Sequence, residues 1–195
     1  WMDWMDTLHD AGVLSENAVT VAYSYIGPKL TYPIYYDGTI GQAKRHLTKT
    51  AEKINEKYSD VKAYISVNKA LVTQASAAIP IVPLYFAILY KVMKAQGTHE
   101  GCIEQISRLF HEKLFVEKPV TDEQGRIRMD DWELSDEVQD KVMECWKNVT
   151  TENVTELSDI DGYWQDFYQM FGFHINSVDY TKDVDLEVAI PSLKA

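Results

Sequence analysis

The sequence predicts an α/β fold built on a parallel sheet, and three observations predict it. Two short segments, residues 18–25 and 61–67, are rich in β-branched and aromatic side chains. Between them, residues 39–58 carry apolar side chains at helical spacing. From residue 83 onward helical periodicity dominates. Strand, helix and strand within about fifty residues form a βαβ crossover, which requires parallel pairing. The chain has 195 residues, 46 % of them apolar, enough for one domain with a substantial core.

The elements follow in order. Trp1, Trp4, Met5 and Leu8 lie on one helical stripe, so the sequence starts inside an element and, with no Met at position 1, reads as part of a longer protein. Ala18 to Tyr25 is the first strand, ended by the turn pair Gly27-Pro28. Thr39 is placed as an N-cap, and the helix to Tyr58 presents Ile40, Ala43, Leu47, Ala51, Ile54 and Tyr58 on one face. Val61 to Val67 is the second strand. Further helices are predicted over Pro83 to Ala95, Glu100 to Phe115, Ser135 to Trp146 and Asp159 to Phe171. Gly97 is a left-handed C-cap, and Ser135 with Val138 is half a capping box, helped by Asp136 and Glu137. Asp122 to Gly125 is a polar turn, and Asp179 to Ala195 is a tail without a period.

Composition narrows the function. The net charge of −11 disfavours sequence-independent nucleic-acid binding and a polybasic membrane anchor, both of which need Lys and Arg. The longest apolar run, residues 78–90, counts thirteen and holds two prolines, whereas a spanning helix needs about 20 residues; no stable membrane insertion is expected. Two cysteines, Cys102 and Cys145, make no disulfide framework and are expected to be helix-buried thiols. With no signal-peptide pattern the default compartment is the cytoplasm, or the mitochondrion if a transit peptide lay upstream. His99 and Cys102 lack further ligands at metal spacing, position 103 being Ile, so no metal site is assigned.

Lys44 is the informative residue of the crossover helix. It falls within the apolar stripe, whereas Arg45, Lys49, Glu52, Lys53 and Glu56 fall outside it. One reading is a stem that snorkels to water; the other is a cation held beside a ligand or beside a group whose pKa it lowers. Tyr35 lies nine residues upstream, about two and a half helical turns, so the two cannot share a helical face. With Tyr35 on the loop entering the helix, hydroxyl and ammonium can converge on one site, where a cation would favour phenolate.

The surrounding residues carry a resemblance. Tyr23-Ser24-Tyr25-Ile26-Gly27-Pro28, Pro33-Ile34-Tyr35, Gly38-Thr39-Ile40-Gly41-Gln42-Ala43-Lys44 and the run from Ser66 to Pro80 are similar to the trans-2-enoyl-CoA reductases and the FabV-type enoyl-acyl carrier protein reductases. His99 to Gln105, Arg126 to Leu134, Gly162-Tyr163 and Gly172-Phe173 extend the resemblance over nearly the whole chain. It implies a doubly wound Rossmann-type fold, related to short-chain dehydrogenases, with several additional helices. It also implies NADH-dependent reduction of the 2,3 double bond of an enoyl-CoA or enoyl-ACP thioester. By the same resemblance Tyr35 is the proton donor and Lys44 holds the nicotinamide ribose. Tyr25 meets the thioester carbonyl, Leu71, Val72 and Thr73 line the cofactor, and the run from Ile79 to Tyr90 is a flap over the acyl chain. Periodicity alone makes that run a buried core helix. The Asp130-Asp131-Trp132-Glu133-Leu134 block is expected to be structural, with acids before a helix and a buried indole.

One departure stands out. No Gly-x-Gly phosphate loop occurs; the nearest pattern, Gly38-x-x-Gly41, starts a helix. Residues 1–195 are therefore expected to be the C-terminal part of a single reductase domain, whose partner is the missing N-terminal half. Alone, the chain is expected to be inactive and to expose a sheet edge. Two alternatives remain: a non-catalytic binding or assembly module, and a ketoreductase-like dehydrogenase, against which stands the lack of Tyr-x3-Lys at Lys44, where position 40 is Ile.

Overall fold

The computed structural model describes residues 1–187. Its centre is a three-stranded sheet in the order β1 (Ala18–Ser24), β2 (Val61–Val67) and β3 (Arg126–Arg128), with both pairings parallel. Ala18 pairs with Val61 and Ser24 with Val67, so the two longer strands run in full register. β1 is an edge, and its Val19 and Tyr23 are exposed, as the crossover reading requires.

Helices cover both sheet faces. On one lie α1 (Met2–Asp10) and the crossover helix α3 (Thr39–Lys57). Met5, Ala51, Ile54 and Tyr58 pack there on Val61, Ala63, Ile65 and Val67, alternate residues of β2 as a strand's period of two dictates. On the other face α6 (Cys102–Arg108) runs into a wider π-turn (Leu109–Leu114), whose Leu109 and Leu114 meet Ile127, Met129, Val21 and Tyr64. A strand apolar on both sides is the mark of a doubly wound parallel sheet.

A helical layer joins the sheet. It comprises α2 (Tyr32–Tyr35), α4 (Gln74–Ala77), α5 (Val82–Gln96), α7 (Asp136–Asn148), α8 (Val154–Leu157) and α9 (Ile160–Gln169). Helix α5 is its axis: Tyr85, Phe86, Ala87, Ile88, Leu89 and Tyr90 are all buried, enclosed by α7, α9 and residues of the strand-end loops. The core-helix reading of the Pro-interrupted run therefore holds for its helical part. Its entrance is strained: Ile81 takes φ 64° as the N-cap of α5, an uncommon conformation for a β-branched residue. Gly97 ends the helix at φ 69°, the left-handed cap foreseen.

Several expectations need correction. The N-cap of α3 is Gly38, not Thr39, and no side chain caps it. Ile40 and Ala43 are exposed, because the first turn of α3 faces α2 through Gly41, where any Cβ would collide with the Tyr36 carbonyl. Cys102 is exposed in the first turn of α6, and Cys145 is half-buried; both are free thiols. Trp132 is 39 % exposed, its ring lying 4.1 Å from the Arg108 guanidinium carbon, while Glu133 beside it is fully buried. The short elements α2, α4, α8 and β3 went unforeseen, since four or fewer residues carry no readable period. Residues 179–187 are exposed without regular structure, and the rest of the expected tail lies outside the described residues.

Candidate active site

Tyr25 follows β1 directly, and Tyr35 is the last residue of α2, a single turn started by Pro33 and tightened by stacking of Tyr32 on Tyr36 at 4.7 Å. Tyr35 is thus helical rather than in a loop. The chain then turns at Gly38 into α3, whose second turn carries Lys44. Tyr35 and Lys44 line one cleft of about 460 Å³, together with Ser24, Ile26, Gly27 and Tyr32. The Lys44 ammonium donates to Ser24 Oγ at 3.2 Å, and burial pulls its pKa down from the ordinary lysine value. It is a half-buried cation directed into the cleft rather than a snorkel.

The expected electrostatic coupling differs. Burial pushes the Tyr35 phenol above its ordinary value, with a further push from Tyr163, and Lys44 does not offset it. The ammonium is turned to Ser24.

Away from Tyr35 the cleft becomes basic. Arg45, Lys49, Arg126 and Arg128 line it against one carboxylate, Glu52. Asp122 binds Arg126 at 2.8 Å and Asp130 binds Arg128 at 2.7 Å. Among the described residues Lys44, Arg45 and Lys49 have no carboxylate partner. In a protein of net charge −11 that is a local reversal of sign, suited to an anionic ligand.

The remaining site candidates lie elsewhere. Leu71 borders a separate cavity of about 100 Å³ with Tyr23, Asn68 and Cys102. Val72 is buried, and its amide donates to Tyr90 Oη at 3.2 Å. Thr73 caps α4 in a reciprocal capping box with Ser76. Side chains hold this loop amide by amide, since Lys69 N donates to Gln105 Oε1 at 2.9 Å and Ala70 N to Glu133 Oε2 at 2.7 Å. Lys69 itself is buried over the Tyr90 ring, its ammonium on the carbonyls of Ala70 and Glu100, and burial lowers its pKa to about 8.

Tyr25 does not line the cleft. Its ring stands edge-on to Tyr35 at 4.9 Å, and its hydroxyl donates to Glu133 Oε1 at 2.9 Å. Burial, then the Glu133 charge, pushes its pKa far up. Sequence reasoning missed Glu133, Ser24 and the arginines of β3. Glu133 lies inside the Asp130–Leu134 block, but nothing in its spacing marks it as buried.

Comparison with known proteins identifies the relatives of the chain. A family model described as the trans-2-enoyl-CoA reductase catalytic region matches residues 1–115, and one described as an enoyl reductase FAD binding domain matches residues 121–184. An NADH enoyl-[acyl-carrier-protein] reductase of Cytophaga hutchinsonii is 58 % identical over 99 % of this chain and 50 % of its own length. A trans-2-enoyl-CoA reductase of Euglena gracilis is 53 % identical over 98 % of this chain and 36 % of its own length. The crystal structure of Clostridium acetobutulicum trans-2-enoyl-CoA reductase in complex with NAD superposes with a TM-score of 0.91 at 51 % identity, covering 95 % of this chain and 49 % of that one. The chain thus spans about half or less of the relatives it matches.

NADH or NAD is named with the relatives, and FAD only in the description of the second family model. The Lys44 ammonium bonds only Ser24 Oγ, which leaves it donors for a ribose hydroxyl of a nicotinamide cofactor. Residues 121–184 contribute Arg126 and Arg128 to the basic cleft and Asp131 and Glu137 to a second cavity of about 300 Å³.

Proposed function

The chain belongs to the trans-2-enoyl-CoA reductase family, and we propose that the polypeptide carrying it reduces the 2,3 double bond of a trans-2-enoyl thioester with NADH. The observation that carries this reading is the meeting of Tyr35 and Lys44 in one cleft although their spacing keeps them off a common helical face. When bound, the nicotinamide supplies the hydride. Tyr35 then donates its phenolic proton, stabilising charge that develops on the thioester oxygen only in the transition state. Lys44 orients the nicotinamide ribose. The basic stretch beyond supports a phosphate-bearing acyl carrier, whether coenzyme A or the phosphopantetheine arm of acyl carrier protein.

Residues 1–195 act in this reading as the C-terminal part of one reductase domain, completed by a half that supplies the phosphate loop. Two free cysteines support a reducing compartment, the cytoplasm or the mitochondrial matrix. Among the described residues no helix is long and apolar enough to cross a membrane.

Steady-state oxidation of NADH with crotonyl-CoA by the full gene-encoded polypeptide tests the proposal. Tyr35→Phe is expected to cut turnover by roughly 10² to 10⁴; unchanged turnover removes Tyr35 as proton donor. The 195-residue chain alone is expected to show no saturable NADH binding by fluorescence, and saturation would show that no further half is needed.

A further inference from the structure

We propose that Glu133 is a positioning residue for this chemistry, fixing the direction of the Tyr25 hydroxyl and, through the Tyr25 ring, the seat of Tyr35 in the cleft. The inference rests on the reading of Tyr35 as proton donor. Glu133 is 0 % exposed and accepts three hydrogen bonds: Tyr25 Oη at 2.9 Å, Tyr85 Oη at 2.7 Å and the Ala70 amide at 2.7 Å. The donors come from the end of β1, from α5 and from the loop after β2, so one carboxylate ties together three segments around the site. Gln139 of α7 braces it from behind, donating to the Glu133 carbonyl at 2.6 Å and to Tyr85 Oη at 3.3 Å.

The consequence for Tyr25 follows from counting protons. A tyrosine hydroxyl has one, and here it points at Glu133. With Glu133 ionised, Tyr25 cannot also donate to a thioester oxygen, and of these two phenols the donor role falls to Tyr35. The Tyr25 ring has no slack to turn away. It packs edge-on against both Tyr35 at 4.9 Å and Phe86 at 5.9 Å, and the backbone of the cleft-lining Gly27, at φ 73°, comes so near its hydroxyl that a Cβ there would fall 2.6 Å away. Glu133 therefore assigns different tasks to two adjacent tyrosines without touching the cleft itself.

A double-mutant cycle tests the inference, with Glu133→Gln and Tyr25→Phe made singly and together in the full gene-encoded polypeptide and assayed with crotonyl-CoA and NADH. With Tyr25 present, E133Q is expected to lower kcat roughly tenfold and leave the KM for NADH unchanged; in the Tyr25→Phe background it should matter less than twofold. A merely structural Glu133 would give the same loss in both backgrounds, and that additivity overturns the inference while Tyr35 stands. Absence of enoyl-thioester reduction by the wild-type polypeptide overturns the reading beneath it instead. Should E133Q fail to fold, Glu133→Asp, which keeps the charge but draws it back by one methylene, takes its place in the cycle: a loss confined to the Tyr25 background supports the inference, and an equal loss in both overturns it.

Discussion

The cleft of Tyr35 and Lys44 and the enclosure of Glu133 lie back to back, separated by the Tyr25 ring, and they treat polar groups in opposite ways. In the cleft, Lys44, Arg45 and Lys49 have no carboxylate partners among the described residues; Lys44 has only a hydroxyl for company, and Arg45 only Gln42 Oε1 and the Tyr36 carbonyl. Around Glu133 each carboxylate oxygen is taken up by donors of the chain, yet burial still raises its pKa above the ordinary carboxylate value. A buried charge without partners costs several kcal/mol, so the enclosure is built to be satisfied before anything binds. The cleft leaves Lys44, Arg45 and Lys49 without a countercharge where water still reaches them. One region stores rigidity and the other stores binding capacity.

That contrast can be attacked from either side. The largest effect on stability is expected from Glu133→Ala, which strands the Tyr25 and Tyr85 hydroxyls and the Ala70 amide together; denaturant melts should show a loss of about 3 to 5 kcal/mol. Gly41→Ala drives a methyl into the Tyr36 carbonyl at the α2–α3 corner, and should cost about 1 to 3 kcal/mol in the same melts while displacing Tyr35.

A third variant probes the packed side of the molecule through pH. Burial, followed by the charges of Lys69 and Lys94, depresses the His99 pKa from 6.5 to about 4. Above pH 6.5 the ring is neutral folded or unfolded, and its contribution is whole. As pH falls from 6.5 toward 4 the unfolded chain takes a proton that the folded chain refuses, so stability is lost. His99→Phe should flatten the fall of Tm across that window in calorimetry. The smallest effect on stability belongs to Lys44→Met, expected to change it by no more than about 0.5 kcal/mol because the cation is half in water, while NADH affinity drops. If Lys44→Met proved strongly destabilising, the cleft would not be the unlocked region described here.

How much was legible depended on length and repetition. Strands β1 and β2 and helices α3, α5, α7 and α9 were readable within a few residues, because each repeats its pattern over at least seven positions. Tyr35, Lys44 and Tyr25 are legible as site candidates from spacing and matched blocks alone. Their neighbours were not: Ser24 and Glu133 come from positions 20 and 108 residues away from Lys44 and Tyr25, separations that no local pattern spans.

The order of the amino acids is enough to establish the parallel crossover, the membership of the family and the identity of the two residues in the cleft. Those follow from periodicity and from matched blocks of residues, both local properties. It took the folded chain to establish that Tyr25 donates its hydrogen bond to Glu133, that Lys44 turns to Ser24 rather than to Tyr35, and that Trp132 lies on Arg108 at the surface while its neighbour is buried. Hydrogen bonds to a buried carboxylate are settled by which chain segments meet around it, and burial is a property of the packed whole rather than of any stretch of it.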